Sequence, residues 1–435
     1  MDVVTVIRPP LPDLVIDQIL RILPTKAAVR MSSLSKQWDG VWRSASILDF
    51  DEGDEPGKYD NDHIDLNKIL EHRKFIKIVE RCLKFREIYQ HKQDLLLYKF
   101  RLRMMRYLPG DYDIIDNCLS FVFERSIKEL DISLRISRLY RGFAWQNRLE
   151  LYYCISRMTL VNAKSVTVLN LEYVRIKDLE SYKPSDTRLL PNLKTLSLKN
   201  VHFEDHVFPL LIWECPSLEY LSLNACSFEF SEFNFSGSSL KSLEVKHSNA
   251  WDIRISHAEN LESFRFSSNS SLLETIILNE SCNLKYINVH AEHLKQFSVN
   301  GCRDCLMATI NTPNLVSFFF KGFLKSKVFV KAPNLSATFL IWDLWDGDLL
   351  ALNGPWRHYL TLRDFLERIG CSKNVILYIR DFKTLIFPED FRKNFSSPLY
   401  GCNQLFLRMD NSPEEVKDMD DFYDSLVWMA PSTTG

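Results

Sequence analysis

The sequence is poor in glycine, with 13 in 435 residues, and it holds none of the glycine-rich loops that cradle phosphates. There is no G-x-x-x-x-G-K-[ST] and no G-x-G-x-x-G, so a nucleotide-binding α/β enzyme has nothing to rest on. A G-x-S-x-G nucleophile elbow is missing too. An excess of charge is also lacking: 54 Lys and Arg stand against 56 Asp and Glu, for a formal charge of -2. That removes the electrostatic reason to expect nucleic acid or an anionic membrane as the main partner. No apolar run approaches the ~18 residues of a membrane span. The longest, Phe208–Trp213 and Leu315–Phe320, are strand-sized. MDVVTVIRPP has no basic stretch leading into an apolar core. The expectation is therefore a cytoplasmic or nuclear chain whose ten cysteines stay reduced.

Metal-ligand patterns are scarce. Cys302-Arg303-Asp304-Cys305 is the one C-x-x-C and has no second pair at finger spacing. His290-x-x-His293 and His202-x-x-x-His206 fall at strand ends and loops rather than on one helix. Carboxylate pairs such as Asp420-Asp421 read as a solvated helix face. No catalytic residue, metal or cofactor is expected, and function has to come from surfaces. What the sequence does have, 46% hydrophobic and 25% charged residues, is the make-up of a folded protein.

Residues 11–23, LPDLVIDQILRIL, open on a proline suited to a first helical turn and two aspartates at the positive end of the helix dipole. Ile16, Ile19, Leu20 and Leu23 recur at i, i+3, i+4, i+7, one apolar stripe. Pro24 stops that helix, and Thr25 is placed to cap a second one, KAAVRMSS, with Ala28, Val29 and Met31 as its apolar residues. Ser35 opens a third, with Leu34, Trp38 and Trp42 on one face. Three short helices in under ~40 residues bury too little surface to stand alone, so they must lean on the following chain, on a partner, or on both.

Asp49–Asp62 is acidic with glycine and proline, and reads as a loop. His63–Phe85 shows helical spacing of Ile69, Phe75, Ile76, Val79 and Leu83. Then L-x-x-L-x-L recurs, as Ile127/Leu130/Ile132, Val166/Leu169/Leu171, Leu193/Leu196/Leu198, Leu218/Leu221/Leu223 and Leu240/Leu243/Val245. It continues as Leu261/Phe264/Phe266, Leu284/Ile287/Val289, Leu294/Phe297/Val299 and Leu315/Phe318/Phe320. Most steps are 20–27 residues and one, Leu284 to Leu294, is ten. The pattern predicts an α/β leucine-rich-repeat solenoid, a parallel β-sheet horseshoe with alternating leucines inward. After Leu240 the spacers are too short for helices and alternate apolar with polar, which predicts a second strand per repeat.

LPDLVIDQILRILPTKAAVRMSSLSKQWDGVW resembles the F-box of plant F-box proteins. Leu11-Pro12, Ile16, Ile19-Leu20, Leu23-Pro24, Val29, Leu34-Ser35-Lys36 and Trp38 with Trp42 stand at matching positions. It departs at Asp39, where family members often carry a basic or polar residue. IIDNCLSFVFERSIKELDISL, LSLKNVHFEDHVFPLLIWECPSLEYLSLNACSF and the C-terminal FKTLIFPEDF…LVWMAP are similar to plant F-box proteins of the FBD/leucine-rich-repeat group. The resemblance implies that Leu11, Pro12, Ile16, Ile19, Leu20, Leu23, Pro24, Val29, Leu34, Ser35, Trp38 and Trp42 dock on a Skp-family adaptor. It implies an SCF-type E3 ubiquitin ligase in which this chain, not itself an enzyme, presents a target protein to a cullin–RING core. The boundaries that follow are an F-box over 9–47, an acidic loop over 48–62, repeats over 63–345 and a partial FBD-like region over 346–435.

The residues between the repeat leucines face outward together. Among them Lys199, Tyr220, Asn224, Glu244, Lys246, Arg265, Tyr286, His290, Asn300, Phe319 and Lys321 are the candidate target-binding set, polar with both charge signs and a few aromatic anchors. The tryptophan-containing segment 341–358 is the other candidate site. Two further functions stand beside the ligase: a repeat scaffold that meets the adaptor without promoting ubiquitination, and a small-molecule co-receptor. The last would need a cluster of Lys and Arg on the inner row, which the sequence does not supply.

Overall fold

The computed structural model describes residues 11–31, 42, 45–53, 66–90, 97–136, 149–177, 188–204, 207–228, 232–236, 239–247, 252–268, 273–279, 283–301, 306–332, 335–341, 355–370, 372–379, 381–409 and 416–433. It divides into two compact units, 1–217 and 218–435.

In the first unit, α1 (Asp13–Ile22) follows Pro12, whose carbonyl accepts from the amides of Val15 and Ile16. Its last turn closes with the Leu23 amide donating to Ile19 before the backbone extends into Pro24. The next helix, α2 (Thr25–Met31), starts on the Pro24 carbonyl, which takes the amides of Ala27 and Ala28. Thr25 does not cap it. Its Oγ1 accepts instead from the Asp49 amide at 2.7 Å, a tie to the first strand. That strand, β1 (Ile47–Asp51), lies where the sequence suggested an acidic loop. Leu48 and Phe50 point inward while Asp49 and Asp51 face out, so the acidic residues mark one face of a strand.

The unit continues through α3 (Leu66–Gln90), β2 (Lys99–Tyr107), α4 (Tyr112–Phe123), β3 (Glu129–Ile136), β4 (Tyr153–Ile155) and the one-turn α5 (Arg157–Leu160). After these come β5 (Val168–Glu172), β6 (Val174–Ile176), β7 (Thr195–Lys199), β8 (His202–Phe203) and α6 (Val207–Trp213). Strands β1-β2-β3-β5-β7 form a parallel sheet. One ladder of its core reads Leu48, Phe100, Leu130, Leu169, Leu196 in register, every member buried. Helix α4 places Ile115, Cys118, Leu119 and Val122 in the core. Strands β4, β6 and β8 pair as a small second sheet.

The second unit changes character. Its elements are β9 (Tyr220–Asn224), β10 (Ser227–Phe228), β11 (Glu232–Ser236), β12 (Ser242–Lys246), β13 (Asp252–Ser256), β14 (Ser263–Ser268), β15 (Thr275–Asn279) and β16 (Tyr286–Ala291). Then follow β17 (Gln296–Asn300), β18 (Met307–Asn311), β19 (Ser317–Gly322), β20 (Lys327–Lys331), β21 (Ser336–Ile341) and α7 (Pro355–Glu367). The unit ends with β22 (Asn374–Ile379), α8 (Glu389–Asn394), β23 (Gln404–Met409) and α9 (Val416–Met429). Two parallel sheets result, β9-β12-β14-β16-β18-β20 and β11-β13-β15-β17-β19-β21-β22-β23. Successive strands from β12 to β21 alternate between them, so each coil gives one strand to each sheet. Leu243, Phe264, Ile287, Ala308 and Val328 stand in register, 20 to 23 residues apart. The second strand per repeat is therefore present, and the later repeats are a two-sheeted solenoid.

Phenylalanines fill the space between these sheets. Phe297 stacks on Phe318 at 5.8 Å, Phe318 meets Phe339 at 5.7 Å, and Phe365 of α7 packs on Phe339 at 5.4 Å. Corners are turned by residues in the left-handed region just past a strand: Tyr173, Asn200, Ala225, His247 and His257 have φ between 50° and 57°. None is glycine, so each corner carries a local strain. It is offset where the corner amide bonds the next coil, as Ala225 does to Lys246 and His247 to Ser267. Side chains add a second set of ties, with Asn314 Nδ2 donating to the Glu292 carbonyl at 2.8 Å and Ser239 Oγ to Leu218 at 2.9 Å. Such bonds satisfy carbonyls that irregular turns would otherwise leave unpaired.

Candidate interaction surfaces

Helix α1 is apolar on two sides. Ile16 and Leu20 point inward at 5% and 3% exposure, joined in the core by Ala28 and Trp42. On the other side Leu14 and Ile22, at i and i+8, are 80% and 83% exposed, with Val15 and Leu11 beside them. This sorts the twelve sequence-predicted docking residues. Leu11, Pro12 and Pro24 face solvent, Ile19, Leu23 and Val29 are half-buried, and Ile16, Leu20 and Trp42 belong to the interior of the chain. Leu34, Ser35 and Trp38 lie outside the described residues. Apolar spacing marks the inward stripe; the outward side, Leu14 and Ile22, is broken at the i+4 position by Gln18 and shows only in the exposures.

The N-terminal helices are held to the first coil by polar ties as well as by apolar packing. Besides Thr25 with Asp49, Arg86 of α3 donates Nη1 to the Ala45 carbonyl at 2.6 Å, and burial lowers its pKa to about 10. Glu52, just past β1, accepts from the amides of Met105 (2.7 Å) and Arg106 (3.1 Å) and from Arg106 Nη1 (2.8 Å). His72 of α3 bridges it to Asp111, at 3.1 Å and 2.8 Å. Burial disfavours the imidazolium, yet the hydrogen bonds to Asp111 and Glu52 prevail and raise the His72 pKa to about 9. Burial likewise pushes Glu52 up, and the bonds from His72, Met105 and Arg106 more than reverse it. The charged ring is a clamp for β1, α3 and β2.

The outward faces of the sheets differ between units. In the first unit charges pair with one another across the strands: Arg101 reaches Asp49 (3.6 Å) and Asp131 (3.7 Å), Arg103 reaches Asp51 (3.6 Å), and Lys99 reaches Glu129 (3.1 Å). Lys199 pairs with Glu172 at 2.7 Å. Burial raises the pKa of both Asp49 and Asp131 despite Arg101. Such a lattice is largely satisfied by itself.

In the second unit the outward positions of the first sheet are Tyr220, Asn224, Glu244, Lys246, Arg265, Tyr286 and His290, as the sequence set had them. Glu244 is tied to Lys246 at 2.8 Å and accepts from Ser222 Oγ; the lysine holds its carboxyl below the usual range. His290 accepts from Asn311 Nδ2 at 3.0 Å when its Nδ1 is unprotonated. Asn300, Phe319 and Lys321 do not belong to this face: they sit on β17 and β19 of the other sheet. The ten-residue step from Leu284 to Leu294 is half a coil, and reading it as a full repeat moved the frame onto the second sheet. The true continuation is Met307, Thr309 and Asn311 on β18, then Lys327, Phe329 and Lys331 on β20. Tyr286, Met307 and Phe329 are each about half exposed, and Arg368 holds its guanidinium 5.5 Å from the Phe329 ring. The outward positions of β14, β16, β18 and β20 carry no acidic residue.

Cys302 to Cys305, His206, and Trp342 and Trp345 of the alternative site lie outside the described residues. Trp356 is on α7, partly exposed, with its ring 5.6 Å from Phe391. His290 and His293 lie at and past the end of β16, both exposed.

Two short N-terminal helices, the first with an exposed apolar side, followed by a leucine-rich-repeat solenoid, define an F-box protein of the repeat-bearing class. Comparison with known families agrees: the F-box domain model matches residues 10–48, and the model described as "FBD-associated F-box protein At5g56370, LRR repeats" matches residues 116–299. The chain belongs to the plant F-box/leucine-rich-repeat proteins of the FBD-associated group. Among Arabidopsis thaliana relatives, it is 26% identical over 311 residues to the putative FBD-associated F-box protein At5g22720, covering 71% of this chain and 54% of that one. It is 30% identical over 239 residues to the putative F-box protein At3g58860, covering 54% and 45%. With the F-box/FBD/LRR-repeat protein At3g52680 it shares 29% over 230 residues, covering 49% and 44%. The chain thus spans about half the length of the curated relatives it matches.

Proposed function

We propose that the chain is the substrate-receptor subunit of an SCF-type E3 ubiquitin ligase, working in the cytoplasm or nucleus. The observation that carries this reading is the outward side of α1. Leucine and isoleucine left some 80% exposed on a helix already docked by its other face call for a partner. Burying each is worth roughly 1.5–3 kcal/mol. A Skp-family adaptor is the partner that F-box membership supplies, and through it a cullin–RING ligase.

The repeats then hold a target protein, with the outward face of β9 to β20 in the second unit as the binding surface. Tyr286, Met307, Phe329 and Arg265 are the side-chain types that anchor protein interfaces. The ligase chemistry belongs to other subunits, and this chain contributes proximity, raising the target's effective concentration near the charged E2. The test is reconstitution of the complete ligase with proteins that co-purify with the repeats. The proposal expects at least one of them to gain ubiquitin only when residues 9–47 are present. If bound proteins are never modified although the adaptor is held, the chain is a sequestering scaffold instead.

A further inference from the structure

Helix α3 carries a second unpartnered surface, on the side away from the core. His72, Val79, Cys82, Leu83 and Arg86 are buried. Round the opposite side Leu70, Ile78, Phe85 and Ile88 remain 40% to 64% exposed. Lys74, Lys77, Arg81 and Lys84 are exposed on the same side. At 3.6 residues per turn these eight share one strip, from Leu70 to Ile88 about 27 Å long. No acidic residue falls within it: Glu71, Glu80 and Glu87 flank the strip on its two sides. Among the described residues, none of the four cations is within ion-pair distance of a carboxylate, in contrast to the paired lattice on the outward face of β1, β2 and β3.

Four large apolar side chains and four unpaired cations on one exposed face are costly to leave in water and useful only against a complementary surface. The order of the residues decides which kind. Arg81 and Lys74 fall between the Leu70/Ile88 edge and the Phe85/Ile78 edge, so cations interleave with apolar groups. A lipid surface would take a continuous apolar strip with cations at its margins. An interleaved strip fits a protein helix whose carboxylates are spaced among its own leucines, as in antiparallel or parallel packing of amphipathic helices.

We propose that the outward face of α3 is a docking strip for an acidic amphipathic helix of a partner protein. This does not rest on the receptor reading and holds whether or not the chain promotes ubiquitination. The test uses the full chain and a fluorescent helical peptide of leucine and glutamate with its leucines at i, i+3, i+4, i+7. A peptide of identical composition with the leucines scattered is the control. Binding read by anisotropy is expected for the first peptide, at least tenfold weaker for the control, and weakened by salt.

Two double variants, Lys77→Glu with Arg81→Glu and Ile78→Ser with Phe85→Ser, are each expected to weaken it about tenfold or more. Circular dichroism and an unchanged unfolding midpoint are the check that both remain folded, as expected of four exposed side chains. Equal binding of the two peptides, or an affinity indifferent to both variants, overturns the proposal. So does stronger association with phosphatidylserine-containing phosphatidylcholine vesicles than with the patterned peptide, which would make the strip a membrane contact.

Discussion

Replacing His72 with glutamine tests the clamp that joins the start of the chain to its first coil. Free histidine titrates near 6.5, and in the folded protein the bonds to Asp111 and Glu52 hold the ring protonated up to about 9. A pKa raised on folding contributes stability that is complete below the unfolded value and is lost as pH rises through the folded one. Between these two values, linkage gives about 2.5 kcal/mol at pH 7 and about 0.2 kcal/mol by pH 9.5. Glu52, whose pKa is lowered, stays ionised throughout this window and supplies its own share until acid pH. Glutamine keeps a hydrogen-bonding side chain of similar reach and removes the charge. Opening of the first coil is read from hydrogen exchange of the amides of Lys99–Tyr107, comparing wild type and variant at the same pH so that intrinsic exchange rates cancel. The variant should open more easily by about 2 to 3 kcal/mol at pH 7, and the gap should close by about pH 9.5. A gap that is absent at pH 7, or that persists unchanged at the higher pH, refutes the protonated bridge.

Thr25→Val removes the acceptor of the Asp49 amide and should destabilise the first unit by about 1–2 kcal/mol in urea unfolding, whereas a helix-capping role alone would leave Asp49 exchange protection intact. Phe318→Ala deletes a ring packed against Phe297, Phe320 and Phe339 and should cost about 3–5 kcal/mol, read as a lowered unfolding midpoint of the second unit. Tyr286→Ala with Phe329→Ala should leave that midpoint within about 0.5 kcal/mol, because both side chains are surface-exposed, while target binding falls at least tenfold. An undiminished target affinity would move the binding surface elsewhere.

What the sequence made legible follows the range of the interactions involved. Apolar periodicity located α1 and the L-x-x-L-x-L strands from β3 to β19, because inward leucines recur within a few residues. It missed β1, whose Asp49 and Asp51 look like loop residues until Arg101 and Arg103 are seen opposite them, in a strand fifty residues away. β2, KFRLRMMRY, hid for the same reason: its arginines are the outward partners of those aspartates. The slip that assigned Asn300, Phe319 and Lys321 to the first sheet came from a motif that both sheets of the solenoid satisfy equally. Leu294, Phe297 and Val299 are inward-pointing strand residues whichever sheet they serve. Only pairing across coils tells the sheets apart. On α1 the limit was different. One apolar stripe explained a helix, and a helix with a second, exposed stripe is what docking requires.

That second, exposed side of α1 is the proposed docking face. Titrating a Skp-family adaptor against wild type and the Leu14→Glu, Ile22→Glu double variant measures whether the outward side of α1 is the docking face. Both side chains are about four-fifths exposed, so the variant should fold as wild type does by circular dichroism. The affinity is expected to weaken at least about hundredfold, the loss of roughly 3 kcal/mol or more. An adaptor that binds the double variant as tightly as wild type would contradict this docking assignment.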